Sequence, residues 1–531
     1  MHIYPDITYS SLSDLLQNRF SEEGFLTLKD LPNPLLFKDM DRAVKRIVKA
    51  IKENEKIVLI GDYDVDGVVS TTLMILFFEE IGIDLQWIIP NRFKDGYGLS
   101  PNIVSRIEDA TLAITVDNGI SAVDAAKMCQ DRGIDLIITD HHLLPPEIPK
   151  AYAIIDQKQK TCSFPYSDIC GAQIAWYLIA ALKKHFEEEI DIKSYLDLVA
   201  IAIIADMMPL KHINRTMVLS GIQMLNQSKR PAIRAFKEYL DKEAIATDDI
   251  GFQLAPIINS AGRMEDASEA VKFLISKNIY EARVDLEKLI LFNTDRKKKE
   301  QEITEQAMKQ AEKEDEVLVL YGDNWHEGVV GIVAARISRH FEKPAIVLSK
   351  SAHGYLKGSG RSFGLCDLFK ITDNCRELLD KFGGHQAAIG LSLYEKNISL
   401  FKNKLQENYR LQEYKLSELD PDIIGELDFR EISFDLTKMI SLYEPYGQEN
   451  QKPKFITSNV KVIQSDTMGK KNEHLRFVLE QNSMIFTGVK FKSNEKFNMG
   501  DFVSISYTIN ENHFRGRITL QLLIDKIITN Y

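Results

Sequence analysis

Cysteine is scarce in this chain. There are five (Cys129, Cys162, Cys170, Cys366 and Cys375), an odd number with no C-x-x-C pair. That argues against a disulfide framework or a thiolate zinc site and for reduced thiols. Long hydrophobic runs are missing as well. The longest tempting one, "LVAIAIIA" from Leu198 to Ala205, ends in Asp206 and falls far short of the ~20 residues a membrane helix needs. The first residues, "MHIYPDITYSSLSDLL", have neither a basic head ahead of an apolar core nor an Arg-rich amphipathic pattern. No membrane association is therefore expected, and a cytoplasmic address is. An excess of positive charge is also lacking: 66 Lys and Arg stand against 77 Asp and Glu, a net charge of −11. Such a chain is unsuited to coating nucleic acid indiscriminately, although one local basic or aromatic groove stays open. There is no internal repeat and no low-complexity segment.

At 531 residues the chain is too long for one ordinary core, so two to four domains are expected. In its first half a β-branched run, an acidic or polar turn and an amphipathic segment recur. "KIVLIGDYD", "LAITVDNG", "LIITDHH" and "YAIIDQ" read as strands, with helical patterns such as "VVSTTLMILFFEEIG" and "SAVDAAKMCQDRG" between them. That alternation implies an α/β domain with a parallel sheet covered on both faces, whose ligand site lies beyond the carboxyl ends of the strands. From about Tyr280 to Glu316 the chain becomes highly charged and reads as a long solvated connecting helix, with "DRKKKEQE" a charged face of it. A second α/β pattern begins at "EVLVLYGDNW", and five short alternating strands fill the tail from about Asp428. Those strands suggest a small all-β barrel of the oligonucleotide-binding (OB) type. The expected division is 1–40 as an N-terminal extension, 41–279 and 317–410 as the two α/β domains, 280–316 as the helix joining them, and 420–531 as the barrel.

"IGDYDVDGVV" sets Asp62, Asp64 and Asp66 at alternate positions behind an apolar run. Clustered carboxylates repel, so they either lie on a hydrated turn or are neutralised by a cation. A calcium loop fails on detail, since its twelfth position would be Leu73 rather than Glu. Further oxygen and imidazole donors follow other apolar runs: Asp117 in "VDNG", Asp140, His141 and His142 in "TDHH", and Asp206 in "IADMMPL". Each alone is as readily structural as functional. Together they favour a centre for manganese or magnesium.

The ordered set "DYDVDG", "VDNG", "TDHH" and "IADMMPL" resembles the DHH phosphoesterase superfamily. "PIINSAGRMEDA", "WHEGVVGIVAARISRHFEKPAIVLS", "GSGRS", "FGGHQAAIGL" and "YEPYGQENQKP" are similar, within it, to blocks of the RecJ family of single-strand-specific 5′→3′ exonucleases. The resemblance runs from about Leu31 onward, and the segment before it is shorter than the family usually carries. It implies a DHH catalytic domain, a DHHA1 domain and a terminal OB-fold domain. It further implies that Asp62, Asp64, Asp66, Asp117, His141 and Asp206 hold two divalent cations, Mn2+ by preference or Mg2+. Asp117 would bridge them, His142 would contact the scissile phosphate or order a ligand, and Asp140 would orient the histidine pair. Ser359, Arg361 and Arg92 would grip a 5′-terminal phosphate and Tyr97 would stack on a base. His385 would donate a charged hydrogen bond. Arg263 reads equally as a phosphate contact or a salt bridge, and His326 as a helix cap or a phosphate contact. In the barrel, Phe477, Phe486, Phe491 and Phe514 alternate with Lys490, Lys492, Arg515 and Arg517, a mixture suited to a single-strand track, with half or more of the aromatics facing the core. The implied partners are single-stranded DNA, a helicase and a single-strand-binding protein, acting on a monomer in DNA repair and recombination. Three other readings compete. A phosphodiesterase of oligoribonucleotides or cyclic dinucleotides has no need of the barrel, a non-catalytic DNA-binding scaffold has no need of a complete ligand set, and a family-II-type pyrophosphatase would need neither "GSGRS" nor the barrel.

Overall fold

The computed structural model describes residues 4–186, 190–312, 314–350, 354–412, 420–469, 472–493, 495–514 and 516–529. They form two compact units. Pro32–Asp206 and Ser220–Leu416 make up the first, and Met1–Leu31, Met207–Leu219 and Ser417–Tyr531 the second.

The first unit is built on a five-stranded, all-parallel sheet in the order Gln86–Ile88, Ile57–Ile60, Leu112–Val116, Asp135–Thr139 and Ala153–Ile155. Ile57–Ile60 and Leu112–Val116 are apolar and buried at every position bar one threonine, which is itself buried. Such strands can lie only in a sheet covered by helices on both faces. The chain leaves Ile57–Ile60 for one edge of the sheet, then crosses to its other side for Leu112–Val116. These two neighbours flank the point where the strand order reverses, where a ligand crevice opens at the carboxyl ends. The helix after the first strand, Val65–Glu80, is buried nearly all round, as befits one packed against the helices Gly171–Leu182, Leu196–Ala205 and Ser268–Ile275.

A second sheet has the order Lys381–His385, Ala388–Tyr394, Tyr355–Arg361, Ala345–Lys350 and Leu318–Asp323, the last two parallel and the other pairs antiparallel. The helix Glu327–Phe341 packs against it. Between the two α/β modules runs one 32-residue helix, Ile279–Gln310, opened by the Asn278 side chain, which accepts from the Tyr280 and Glu281 amides. It contacts helices of both modules. The expectation of a merely solvated connector needs correction here. Ala282, Leu286, Leu289, Asn293, Arg296, Glu300, Ile303, Thr304 and Ala307 form a buried stripe at helical spacing. Two charged residues of the "DRKKKEQE" stretch belong to it: Arg296 Nη1 donates to Glu300 Oε2 at 2.6 Å, and Arg336 of the second module reaches Glu300 Oε1 at 2.5 Å.

The second unit is a closed five-stranded barrel of Lys454–Met468, His474–Gln481, Met484–Lys490, Arg517–Thr529 and Phe502–Phe514, the last pairing back onto the first. Its core includes Phe455, Val462, Phe477, Leu479, Ile505, Tyr507 and Leu522. Of the 1–40 segment expected to stand apart as an N-terminal extension, the part up to Leu31 joins this unit, since Asp6–Ile7 adds in parallel to Ile423–Leu427, which in turn pairs with Lys454–Met468, while the rest belongs to the first unit. The "YEPYGQENQKP" block also acts here. Asn450 Nδ2 donates to the carbonyls of Tyr443 and Pro445 at 2.8 and 3.0 Å, and Arg215 Nη2 to those of Leu442 and Glu444 at 3.1 and 2.7 Å. Among the aromatics singled out by alternation, Phe477 is buried in the core, Phe486 meets Phe429 edge-on, and Phe491 is 55% exposed beside His474. The Phe514 side chain and Arg515 lie outside the described residues. No helix among the described residues is long and apolar enough to cross a membrane.

Removing Glu300 would leave Arg296 buried without its counter-charge, so Glu300→Ala is expected to cost about 3–5 kcal/mol in urea unfolding. A loss below about 1 kcal/mol would return this helix to the solvated reading.

Candidate metal centre and phosphate cleft

Four of the five parallel strands are followed by an aspartate. Asp62 lies two residues beyond Ile60, while Asp117, Asp140 and Asp156 directly follow Val116, Thr139 and Ile155. Because the strands are parallel and in register, this sequence coincidence becomes a spatial cluster. The ligating atoms of Asp62, Asp64 and Asp117 lie within 4.8 Å of one another, as do those of Asp66, His141 and Asp206, and those of Asp117, His141 and His142. His141 Nε2 stands 3.1 Å from Asp117 Oδ1, 3.6 Å from Asp66 Oδ2 and 3.7 Å from Asp206 Oδ2.

Backbone groups account for part of this charge. Asp64 caps the helix Val65–Glu80, its Oδ1 accepting from the Asp66 and Gly67 amides at 3.0 and 3.1 Å. Asp66 is buried and accepts from Gly171 N at 2.5 Å and Ala172 N at 2.8 Å, the open amides at the start of the helix Gly171–Leu182. The remainder is uncompensated. Both carboxylate oxygens of Asp62, Oδ1 of Asp117 and Oδ2 of Asp206 are buried without a hydrogen bond. Burial and then neighbouring carboxylates push Asp62, Asp66 and Asp117 upward, and Asp206 to about 8. Orphaned oxygen donors with one imidazole, held this close, fit a divalent cation of the manganese or magnesium kind.

The frame around the donors is tight. Asp117 adopts φ 62°, a left-handed backbone that is costly for a residue other than glycine and is sustained only where the surroundings impose it. Asn118 imposes it: its Nδ2 donates to Ile60 O and Val116 O, and its Oδ1 accepts from Leu99 N at 3.0 Å. A Cβ on Gly171 would lie 2.6 Å from Asp117 Oδ1. Asp140 is not among the clustered ligands. Its Oδ1 accepts from the His141 and His142 amides and meets His142 Nδ1 at 2.7 Å, while its Oδ2 takes the Ile120 amide. Burial works against a charged His142, but that hydrogen bond and the Asp140 charge outweigh it and raise the imidazole to about 9. Tyr97 donates to Asp117 O at 3.1 Å, and its ring meets that of His142 edge-on. Asn118, Gly171 and the turn from Asp156 to Lys158 were missed in the sequence. Asn118 stands inside "VDNG" and Asp156 inside "YAIIDQ", but only their tertiary neighbours give these residues a role.

Arginines gather where the two α/β modules meet. Gly262 and Gly328 permit it, since a Cβ on either would strike the carbonyl of Tyr63 or Arg263, at 2.3 and 2.0 Å. Of the two readings of Arg263, the ion pair is not seen among the described residues: Nη1 donates to Gly328 O at 3.1 Å, and desolvation with the charges of Arg92, Arg296 and Arg361 lowers the group to about 10. Arg92 lies 4.2 Å above the Tyr63 ring with its Nε buried and unpartnered. Arg361 and Ser359 line one side of the Tyr355–Arg361 strand, their side-chain atoms 3.3 and 3.4 Å from where a Cβ on Gly331 would stand. His326 caps the helix Glu327–Phe341 by accepting from Gly328 N. His385 is exposed at a strand end and accepts from Ala387 N.

Family models match in three places: the DHH family N-terminal domain over residues 56–203, the DHHA1 domain over 314–410 and the RecJ OB domain over 423–526. A single-stranded-DNA-specific exonuclease RecJ from Dickeya dadantii (strain 3937) is 33% identical, over 97% of this chain and 96% of its own length. The chain belongs to the RecJ family. Two RecJ crystal structures extend the comparison. RecJ in complex with Mn2+ from Thermus thermophilus shares the fold, with a TM-score of 0.82 at 22% identity, covering 100% of this chain and 76% of that one. Exonuclease RecJ bound to manganese matches with a TM-score of 0.63 at 26% identity, over 72% of this chain and 97% of its own.

Gly171→Ala is expected to push Asp117 aside and weaken Mn2+ binding by about tenfold or more in isothermal titration, with the far-ultraviolet circular dichroism unchanged. Unaltered affinity would show that the Asp117 carboxylate is not confined by this helix.

Proposed function

We propose that the chain is a metal-dependent exonuclease that degrades single-stranded DNA from its 5′ end to 5′-mononucleotides, in DNA repair and recombination in the cytoplasm. The observation that carries this reading is the set of buried, unpartnered carboxylate oxygens at the switch point of the parallel sheet, in a RecJ chain that retains every candidate ligand. Asp62, Asp64 and Asp117 would hold one divalent cation and Asp66, His141 and Asp206 a second, with Asp117 shared, and Mn2+ preferred over Mg2+. When bound, such a pair supplies an activated water and stabilises the charge on the transferring phosphoryl group.

The residues of the chain supply the remainder. His142, held by Asp140, presents a positively charged imidazole edge that donates to the scissile phosphate. Asp140 fixes that ring and takes no part as a ligand. Tyr97, 44% exposed above the cluster, stacks on the terminal base. Arg92, Ser359 and Arg361 select a 5′-phosphate, Arg263 holds the two modules together at that point, and exposed His385 donates a charged hydrogen bond to the DNA backbone. A 5′ end gripped at the arginines sets the next phosphodiester at the cations, which makes the enzyme an exonuclease that releases single nucleotides. In the barrel, exposed Phe491 with Lys490, Lys492 and Arg517 tracks the strand that follows. The protein works as a monomer, fed by a helicase and a single-strand-binding protein. The barrel speaks against an enzyme of dinucleotides, and the complete ligand set against a scaffold.

On end-labelled single-stranded DNA with Mn2+, Asp117→Ala is expected to lose turnover by about 10³-fold or more while remaining folded, and chelator should do the same to the parent protein. Wild-type-like turnover in Asp117→Ala would remove the shared-ligand assignment. Arg361→Ala should erase the preference for a 5′-phosphorylated over an unphosphorylated end. An equal loss on both ends would take the phosphate role from Arg361.

A further inference from the structure

The turn after the last parallel strand carries a cation with no part in the ligand set. Asp156 closes the strand fully buried; its Oδ1 accepts from Lys158 N at 2.7 Å and its Oδ2 has no partner. Gln157 Nε2 donates to Ser167 O at 2.7 Å and Gln159 Nε2 to Ile154 O at 2.6 Å, both side chains buried. Three polar side chains in a row of four thus serve to fix the backbone of the turn. Lys158 is the fourth, and it acts elsewhere. Its Nζ reaches across the strand ends to donate to the carbonyl of His141, one of the clustered metal donors.

An ammonium has three N–H donors and that carbonyl takes one. Among the described residues no other hydrogen bond and no ion pair engages this Nζ, and the residue is neither buried nor fully exposed. Its positive charge nonetheless acts on Asp206, His141 and Asp156. A structural lysine in such acidic surroundings would be expected to settle on a carboxylate. This one is held short of them by a rigid turn, leaving two donors at the rim of a cluster whose substrate is a phosphodiester.

We propose that Lys158 is a substrate-contacting residue, whose ammonium donates to a non-bridging oxygen of a DNA phosphate at the metal centre while its bond to His141 O holds it there. The inference rests on the exonuclease reading and adds to it a phosphate contact on the side of the sheet away from the arginines in sequence and in origin. A lysine suits this place as a compact point charge, since a forked guanidinium is favoured where two parallel hydrogen bonds are wanted.

The test is the salt dependence of binding of a fluorescent 5′-phosphorylated single strand to the full-length protein, with Ca2+ in place of Mn2+, alongside steady-state turnover with Mn2+. Loss of one phosphate contact on a single strand flattens the slope of log Kd against log salt by about 0.7. Lys158→Met is expected to show that flattening, with KM raised more than kcat is lowered, and Lys158→Arg to restore the slope. An unchanged slope in Lys158→Met, whatever happens to turnover, would make Lys158 only a prop for His141 and overturn the proposal. Should Lys158→Met fold poorly, Lys158→Gln reads the same slope. If Asp117→Ala turns over normally, the exonuclease reading falls and this inference falls with it, whereas an unchanged slope beside an inactive Asp117→Ala removes this inference alone.

Discussion

Everything in the catalytic unit answers to one electrostatic problem, the mutual repulsion of carboxylates brought together at the carboxyl edge of a parallel sheet. Folding buries Asp62, Asp66 and Asp117 within one cluster, and the protein offers full hydrogen bonding only to Asp66, through the amides of Gly171 and Ala172. A buried charge left without a partner is costly. The unit holds it in place with its apolar sheet and the largely buried helix Val65–Glu80, so that neutralisation is left to a cation and not to the protein's own side chains. Asn118 and the left-handed Asp117 show how firmly the geometry is set before any ion arrives.

A good part of this was legible in the sequence, because strand periodicity carries information about place. Residues that directly follow parallel strands come out on one edge, so Asp117 and the "DHH" run could be put beside Asp62 without any structure. The five barrel strands were legible for a similar reason, alternation being a local signal. What stayed hidden depends on contacts between segments far apart in the chain. The lack of a side chain at Gly171 matters only because Asp117 lies above it, and Lys158 matters only because its long stem spans two strand ends. Charge misled in the long helix. A run such as "DRKKKEQE" reads as solvated unless one knows that Arg336 comes from another segment to meet Glu300. The N-terminal strand misled by order, since Asp6–Ile7 joins a strand more than 400 residues away.

The chain is acidic overall, yet Arg92, Arg263 and Arg361 come together where Gly262 and Gly328 let two backbones approach. Arg92, Arg263 and Arg361 repel one another there as the carboxylates do a short way along the cleft. Opposite fields at neighbouring places orient a phosphate chain along one direction. In the exonuclease proposed above, polarity of digestion would follow from where the charges lie, without recognition of base sequence.

The helix Ile279–Gln310 has a mechanical consequence. Both α/β modules are packed along one unbroken rod, pinned by the buried Arg296–Glu300 pair with half-exposed Arg336 joined to it, and by the backbone approach at Gly328. Such a frame ties the aspartate cluster of one module to the Arg361 strand of the other through a single element, so any change in their spacing would have to bend that helix or break the buried Arg296–Glu300 pair.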